Sequence, residues 1–413
     1  MKILILSALT RPDTFDYLLK ESNKNIEWVF LFHYKPDKND NTSEFQTRYP
    51  NNNISHVYWK DFLTPFMLLK KTKPDKIIFF EINDTWQIPL VIAAKKTKTT
   101  TFFIEHGVGN SVQMVFDRFK KNTPFVNKLI NYFYKICTSL IRILHNRVFY
   151  FSVINQITSN KNKAKYLKLL YYFKIYSPIH SLTKCLFPER TPDYALLFNN
   201  NNVAPFLIYN ILSKNRIINT GVPFFDNYYL AEAKADNYLV FIEHPYLEEK
   251  ILGWNNEFHQ KIAETLNDFA SRNSIKIYVK LHPRSNLKNW TRYNFDQKYI
   301  EIIQDGNYTV LFLNAKLILS YSSTLICAFI CAKKNVVLLG WHPSPHISGD
   351  NYAATGLCHK SLDLNELFIQ YNFWIDNNLC LRNENGYNNF LKEYNYPFDG
   401  KAAKRVIETI TNV

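Results

Sequence analysis

Glycine is scarce in this chain, ten residues in 413. So low a count argues against a glycine-rich dinucleotide fingerprint, a P-loop or a repeat protein, and no solenoid-type period is present. The six cysteines (Cys137, Cys185, Cys327, Cys331, Cys358 and Cys380) form no CxxC pair and no zinc-like spacing. Their mostly apolar surroundings read as buried thiols. No Asp-x-Asp stands in a context suited to a divalent ion, so no metal is expected. No run reaches the roughly 18 apolar residues of a membrane span. Met1-Lys2 ahead of Ile3–Leu6 has the outline of a signal peptide. However, the apolar run is too short, and Arg11-Pro12-Asp13 stands where small residues would mark cleavage. A first buried strand and a cytoplasmic protein are the expectation.

The chain is long enough for two cores, and its 46% hydrophobic and 16% aromatic content fills them. In the N-terminal third, short β-branched or aromatic runs (Ile3–Leu6, Glu27–Phe32, His56–Trp59, Ile77–Phe80, Thr101–Ile104) alternate with helix candidates at Phe62–Lys71 and Gln87–Lys95. That rhythm predicts a parallel sheet with helices on both faces. Asp37–Asn53, rich in Asn, Asp and Pro, reads as an exposed loop. Tyr194–Phe198 and Arg216–Asn219 read as the last strands of this domain, and Ala231–Asn237 as a linker. A second βαβ series follows: Tyr238–Glu243, helix Asn256–Arg272, Ile275–Leu281, Tyr299–Ile303, Leu317–Ser320, helix Ser323–Ala332 and Val336–Leu339. After Asp399-Gly400-Lys401, Ala402–Ile410 reads as a terminal helix. The expected fold is α/β: two doubly wound Rossmann-like domains, 1–230 and 231–395, facing each other across a cleft, with a closing helix in 396–413.

The formal charge of +15 is uneven. From Asp117 to Arg190 there are fourteen Lys/Arg against two acids, a net +12. This stretch has no glycine, and Lys128–Leu144 and Lys161–Lys174 repeat apolar residues every three to four positions. It reads as a basic helical insertion, 117–190, whose amphipathic helices suit an anionic membrane surface. A basic island without any DNA- or RNA-binding motif does not suggest a nucleic-acid partner.

Three polar breaks after apolar strands carry the chemistry. Glu105-His106-Gly107 follows Thr101–Ile104; in open α/β sheets ligands bind at such carboxyl ends. A partly dry glutamate beside a histidine suits a general base, and Gly107 allows a tight turn with close backbone approach. Lys280-Leu281-His282-Pro283-Arg284 sets two cations and a histidine around a proline-fixed turn, fit for a donor phosphate, with His282 also able to protonate a leaving oxygen. Ser320-Tyr321-Ser322-Ser323-Thr324 opens an apolar helix. Its hydroxyls cap the helix, and the same geometry makes an anion site.

These motifs, in this order, resemble those of GT-B-fold bacterial glycosyltransferases of capsule and lipopolysaccharide synthesis, above all the polysialyltransferase and lipooligosaccharide sialyltransferase group, whose donor is CMP-sialic acid. That group carries an acidic-acidic-Gly motif with a carboxylate base, matched here by Glu105-His106-Gly107 with His106 in the second acidic position. Its His-Pro motif matches His282-Pro283, and its serine motif matches Ser322 and Ser323. Phe241-Ile242-Glu243-His244-Pro245, with Glu248 shortly after, is similar to a strand-end segment of these enzymes. His106, the Tyr-Ser-Ser stretch and the terminal Asp-Gly-Lys-Ala are also similar to CDP-glycerol polymerases of teichoic-acid type.

The resemblance implies a metal-independent, cofactor-free transferase that moves an acidic sugar (sialic acid, Kdo or a relative) from a CMP-linked donor to a glycan or glycolipid acceptor of capsule or lipopolysaccharide. Glu105 or His106 would take the acceptor's proton. Lys280, His282, Pro283, Arg284, Ser322, Ser323 and Thr324 would hold the donor, with Gly107 near it. The alternative it leaves is a CDP-glycerol-type polyol-phosphate transferase. Segment 117–190 would hold the enzyme peripherally at the inner membrane or guide an anionic glycan.

Overall fold

The computed structural model describes residues 1–7, 12–22, 25–32, 47, 50, 53–105, 143–156, 160–231, 234, 236–250, 253–304, 306–321, 323–341 and 350–413. His106, Gly107, Ser322, Cys137, nearly all of the loop 37–53 and nearly all of the helix expected over 128–144 lie outside them. The chain forms two compact units, one of residues 1–224 with 401–413 and the other of residues 225–400.

The first unit is built on seven parallel strands: β1 (Lys2–Ser7), β2 (Glu27–Phe32), β3 (Asn53–Tyr58), β4 (Lys76–Phe79), β5 (Thr100–Ile104), β6 (Tyr194–Leu197) and β7 (Ile217–Asn219). Their order is β3-β2-β1-β4-β5-β6-β7, the doubly wound pattern in which the winding direction reverses beside β1. Ile3, Leu4, Ile5, Ile77, Ile78, Phe79 and Phe102 are fully buried. The strands accordingly read as continuous apolar runs, because both faces of the sheet are covered. One face packs on the helix Gln87–Lys96 and on Phe149, Tyr150, Tyr166 and Leu169. The other packs on the helix Pro12–Glu21 and on Val406, Ile407 and Ile410 of the terminal helix Ala402–Asn412. The last stretch of sequence thus completes the core of the first unit.

The second unit repeats the plan with six parallel strands: β8 (Tyr238–Ile242), β9 (Lys276–Lys280), β10 (Ile300–Ile303), β11 (Leu317–Ser320), β12 (Val336–Leu339) and β13 (His359–Ser361). The order is β10-β9-β8-β11-β12-β13. β8 therefore lies between β9 and β11, and the loops after those three strands are neighbours. The 17-residue helix Asn256–Arg272 occupies the residues expected of it, capped by Asn255, whose side chain accepts from Phe258 N at 2.8 Å.

Some boundaries differ from expectation for identifiable reasons. The helix expected from Phe62 starts at Pro65. Thr64 accepts from Met67 N at 3.1 Å and proline occupies the first turn, a combination that fixes a helix start. β13 is three residues long and polar, too short and too mixed to register as a strand in the sequence. The five described cysteines are buried free thiols, as their surroundings suggest.

Candidate functional site

Each unit ends a strand with a buried carboxylate, and the two are built alike. After β5, the Glu105 N–H donates to Leu196 O at 3.0 Å. Two residues further along the neighbouring strand, Phe198 N donates back to Glu105 Oε2 at 2.7 Å. After β8, the Glu243 N–H donates to Lys280 O at 2.9 Å, and two residues further on His282 N donates to Glu243 Oε2 at 3.1 Å. The carboxylate thus continues a parallel ladder past the end of its strand and fixes the first turn of the adjacent loop. The sequence carries the same tetrapeptide at both places, Phe103-Ile104-Glu105-His106 and Phe241-Ile242-Glu243-His244.

The two glutamates differ in what they face. Glu105 is 6% exposed, and burial pushes its carboxyl up to about 7. The Phe198 N–H and the nearby Asn202 amide pull the other way without cancelling that effect. It lines a cavity of about 130 Å³ with Glu81, Asn83, Asn202, Tyr209 and Asn210. A carboxyl that is half-ionised near neutral pH at the wall of a cavity has the proton affinity of a general base.

Glu243 is 5% exposed and is engaged within the protein. Besides the His282 N–H, its Oε2 accepts from Ser285 Oγ at 2.6 Å. Burial raises this carboxyl to about 7 as well; the Ser285 and His282 donors lower it and Glu248 raises it. Glu248 accepts from Asn286 N at 2.8 Å and Asn289 Nδ2 at 2.9 Å. Gln304 Nε2 donates to His282 O at 3.2 Å and Ser285 O at 2.7 Å. The His-Pro turn is therefore gripped from two sides before any ligand arrives.

The turn itself presents His282. Arg284 N donates to His282 Nδ1 at 3.1 Å, which places the proton of the neutral ring on Nε2 and makes that nitrogen a donor. Pro283 is exposed at the tip. Arg284 forms an ion pair with Glu249 at 2.6 Å, with most of its side chain in solvent. Lys280 is committed differently from a phosphate ligand. Its Nζ donates to Leu281 O at 2.7 Å and Gln304 O at 2.6 Å, bracing the turn from beneath. On the other flank of β8, Ser323 caps the helix Thr324–Cys331 by accepting from Leu325 N at 3.2 Å, and Thr324 is exposed in the first turn. Thus the strand order brings His282 and Ser323 to the loops on either side of β8. Lys280 sits behind the turn rather than in it, and His106, Gly107 and Ser322 fall outside the described residues. Among the described residues, no group of three or more His, Cys, Asp or Glu is placed to hold a metal ion.

Glu81, Asn202, Glu243 and Ser285 were not singled out from sequence as site residues. The repeated Phe-Ile-Glu-His was the available signal for Glu243. Glu81 follows from register: Phe79 pairs with Phe103, so two residues on Glu81 stands beside Glu105.

Two parallel α/β sheets with strand-end sites define an enzyme of the GT-B fold. The chain belongs to the alpha-2,8-polysialyltransferase family, whose profile matches residues 5–322, and it is a glycosyltransferase. Solved structures show the same fold. The UDP-GlcNAc 2-epimerase of Methanocaldococcus jannaschii is 15% identical, with both chains fully covered and a TM-score of 0.55. A putative UDP-N-acetylglucosamine 2-epimerase of Listeria monocytogenes is 11% identical over 100% of this chain and 96% of that one, with a TM-score of 0.56. The wall teichoic acid polymerase TagF is 11% identical over 100% of this chain and 88% of its own, with a TM-score of 0.53. No curated protein matches the chain.

The Glu243 grip generates a prediction. Its carboxyl is raised in the folded state, so ionising it costs stability. The contribution is fully present below the ordinary glutamate range near 4.5 and is lost as pH rises through about 7. Glu243→Gln should therefore flatten the fall in unfolding free energy, measured by urea titration, between pH 5 and 8, by an amount on the order of 3 kcal/mol at most. A fall as steep in the variant as in the wild type would contradict this.

Proposed function

We propose that the protein transfers an acidic sugar from a CMP-activated donor to a glycan acceptor of capsule or lipopolysaccharide, with Glu105 as the base. The observation that carries this reading is the Glu105 carboxyl, buried at a cavity wall and poised near neutrality, in a member of the polysialyltransferase family. In the step itself, the acceptor hydroxyl gives its proton to Glu105 and its oxygen bonds to the anomeric carbon. The bond from that carbon to the donor phosphate oxygen breaks, and CMP leaves with the electron pair. His282 Nε2–H, on a turn held by Glu243 and Gln304, supplies a hydrogen bond to the phosphate, and Ser322, Ser323 and Thr324 offer hydroxyls to it. Arg284 adds charge from the rim, with Pro283 shaping the turn, and Lys280 acts by bracing it. Neutralisation by side chains lets this chemistry run without a metal or a cofactor. His106 and Gly107 follow the base directly in sequence and belong to the same reading as its partners. The polyol-phosphate alternative draws on His106, the Tyr-Ser-Ser stretch, the terminal Asp-Gly-Lys-Ala and fold-level likeness to a teichoic acid polymerase, whereas the family match favours the CMP-linked acidic sugar.

Glu105→Gln should keep donor binding, measured by calorimetry with CMP, and lower transfer by about 10²–10⁴-fold. In the wild type kcat should rise with pH to a plateau through an apparent pKa of about 7, since the deprotonated base is the active form. Undiminished turnover in the glutamine variant would sink the assignment.

The reading extends to a membrane edge. No described helix is long and apolar enough to cross a membrane. The helix Asn160–Ile175 buries Tyr166, Leu169 and Leu170 but leaves Leu167, Tyr171 and Ile175 exposed at four-residue intervals beside the exposed Lys168 and Lys174. An apolar stripe bordered by lysines suits the interface of an anionic bilayer. Co-sedimentation with vesicles containing phosphatidylglycerol should be strong in the wild type and at least several-fold weaker in a Leu167→Glu/Tyr171→Glu variant. Equal binding by the two would refute the docking face.

A further inference from the structure

Arg190 closes the basic segment in sequence, yet it is fully buried. Its guanidinium joins two parts of the first unit. On one side, Nη2 donates to Leu182 O and Nε to Cys185 O, both at 3.2 Å. These carbonyls belong to the last turn and the C-cap of the helix Pro178–Lys184, the negative end of the helix dipole, where a cation is favoured. On the other side, Nη2 also donates to Tyr209 O, and Nη1 reaches Asn210 Oδ1 at 3.5 Å. The next residue holds the same loop: Thr191 Oγ1 accepts from Ile211 N at 3.3 Å.

Both sides lead to the cavity beside Glu105. Tyr209 and Asn210 line it, and the helix Pro178–Lys184 brings Ile179 to its wall. Phe206, one helical turn before Asn210, lines it as well and accepts from Asn210 Nδ2 at 3.2 Å. The guanidinium thus ties two pieces of the wall together without lining the cavity itself.

Arginine suits this task. Burial pulls the guanidinium down to about 10, while Cys185 and the nearby tyrosines push it back up, so it stays charged at neutral pH. All four oxygens it reaches are neutral, so the charge is held by carbonyl and amide dipoles. A planar fork with several fixed donors can meet acceptors lying in two directions, which the single nitrogen of a lysine cannot do.

We propose that Arg190 is a positioning residue for the acceptor: it fixes Tyr209 and Asn210 at the wall of the Glu105 cavity, and through them sets how tightly the acceptor glycan is held. The identity of the cavity's ligand as the acceptor rests on the reading of Glu105 as the base.

The test compares two ligands on the full-length protein. An α2,8-linked sialic acid oligomer, the glycan that the family's name denotes, is titrated without donor and followed by saturation-transfer NMR; CMP is titrated by calorimetry. Arg190→Lys keeps the charge and loses the fork. It should weaken the oligomer about ten-fold and leave CMP affinity within about two-fold. Asn210→Ala should weaken the oligomer to a similar degree, and Arg190→Lys should cost less in that background than in the wild type, since the two act through one contact. A merely structural role would lower the fraction of protein able to bind either ligand and leave both affinities unchanged. That result overturns the inference, as do full additivity of the two substitutions and a wild type that does not take up the oligomer. Should Arg190→Lys show no cooperative urea transition, Asn210→Ala decides: unchanged oligomer affinity overturns the inference, and a loss confined to the oligomer upholds it. Nucleotide release from CMP-sialic acid, read in parallel, keeps the two readings apart. Absent release with the Arg190 effect intact removes the transferase reading alone, and release without that effect removes this inference alone.

Discussion

The constraint on which the rest depends is the bracket that a buried glutamate makes between two adjacent strand ends. In parallel sheets the loops after the strands carry the chemistry, yet nothing in the ladder itself fixes them once the strands have ended. Glu105 and Glu243 extend the ladder by one carboxylate each, tying Phe198 and His282 to the strand beside them. Desolvating these groups is costly, and both carboxyls respond by rising to about 7. In return, the same groups order the loops that follow the neighbouring strands.

The two brackets then diverge. Glu243 is surrounded by protein donors, with Ser285 and the His282 N–H on one oxygen, and its effect is transmitted through the turn it holds. Glu105 accepts from the Phe198 N–H, has the Asn202 amide close by, and looks into a cavity. The same local design therefore yields a carboxylate closed in by protein donors in one unit and one that faces a cavity in the other. The difference lies in what each pocket leaves open rather than in the residue.

Much of this was legible in sequence. Buried parallel strands announce themselves as unbroken Val/Ile/Leu/Phe runs, which is why β2, β11 and β12 fall on the residues expected. The three polar breaks were found because they interrupt such runs. Less legible was anything that depends on pairing between distant segments. The role of Lys280 is an example: flanking His-Pro, it reads as a phosphate ligand, but its ammonium is taken by the carbonyls of Leu281 and Gln304. Glu81 became visible only through the register of β4 on β5. The repeated Phe-Ile-Glu-His lay open in the sequence, but its meaning required the neighbouring strands.

The account stands most directly on which donor is consumed. Nucleotide release from CMP-sialic acid, CMP-Kdo, CDP-glycerol and UDP-sugars, each with a glycan acceptor, decides it. Turnover is expected with a CMP-linked acidic sugar and none with CDP-glycerol or UDP-sugars. Turnover confined to CDP-glycerol or to a UDP-sugar would contradict it.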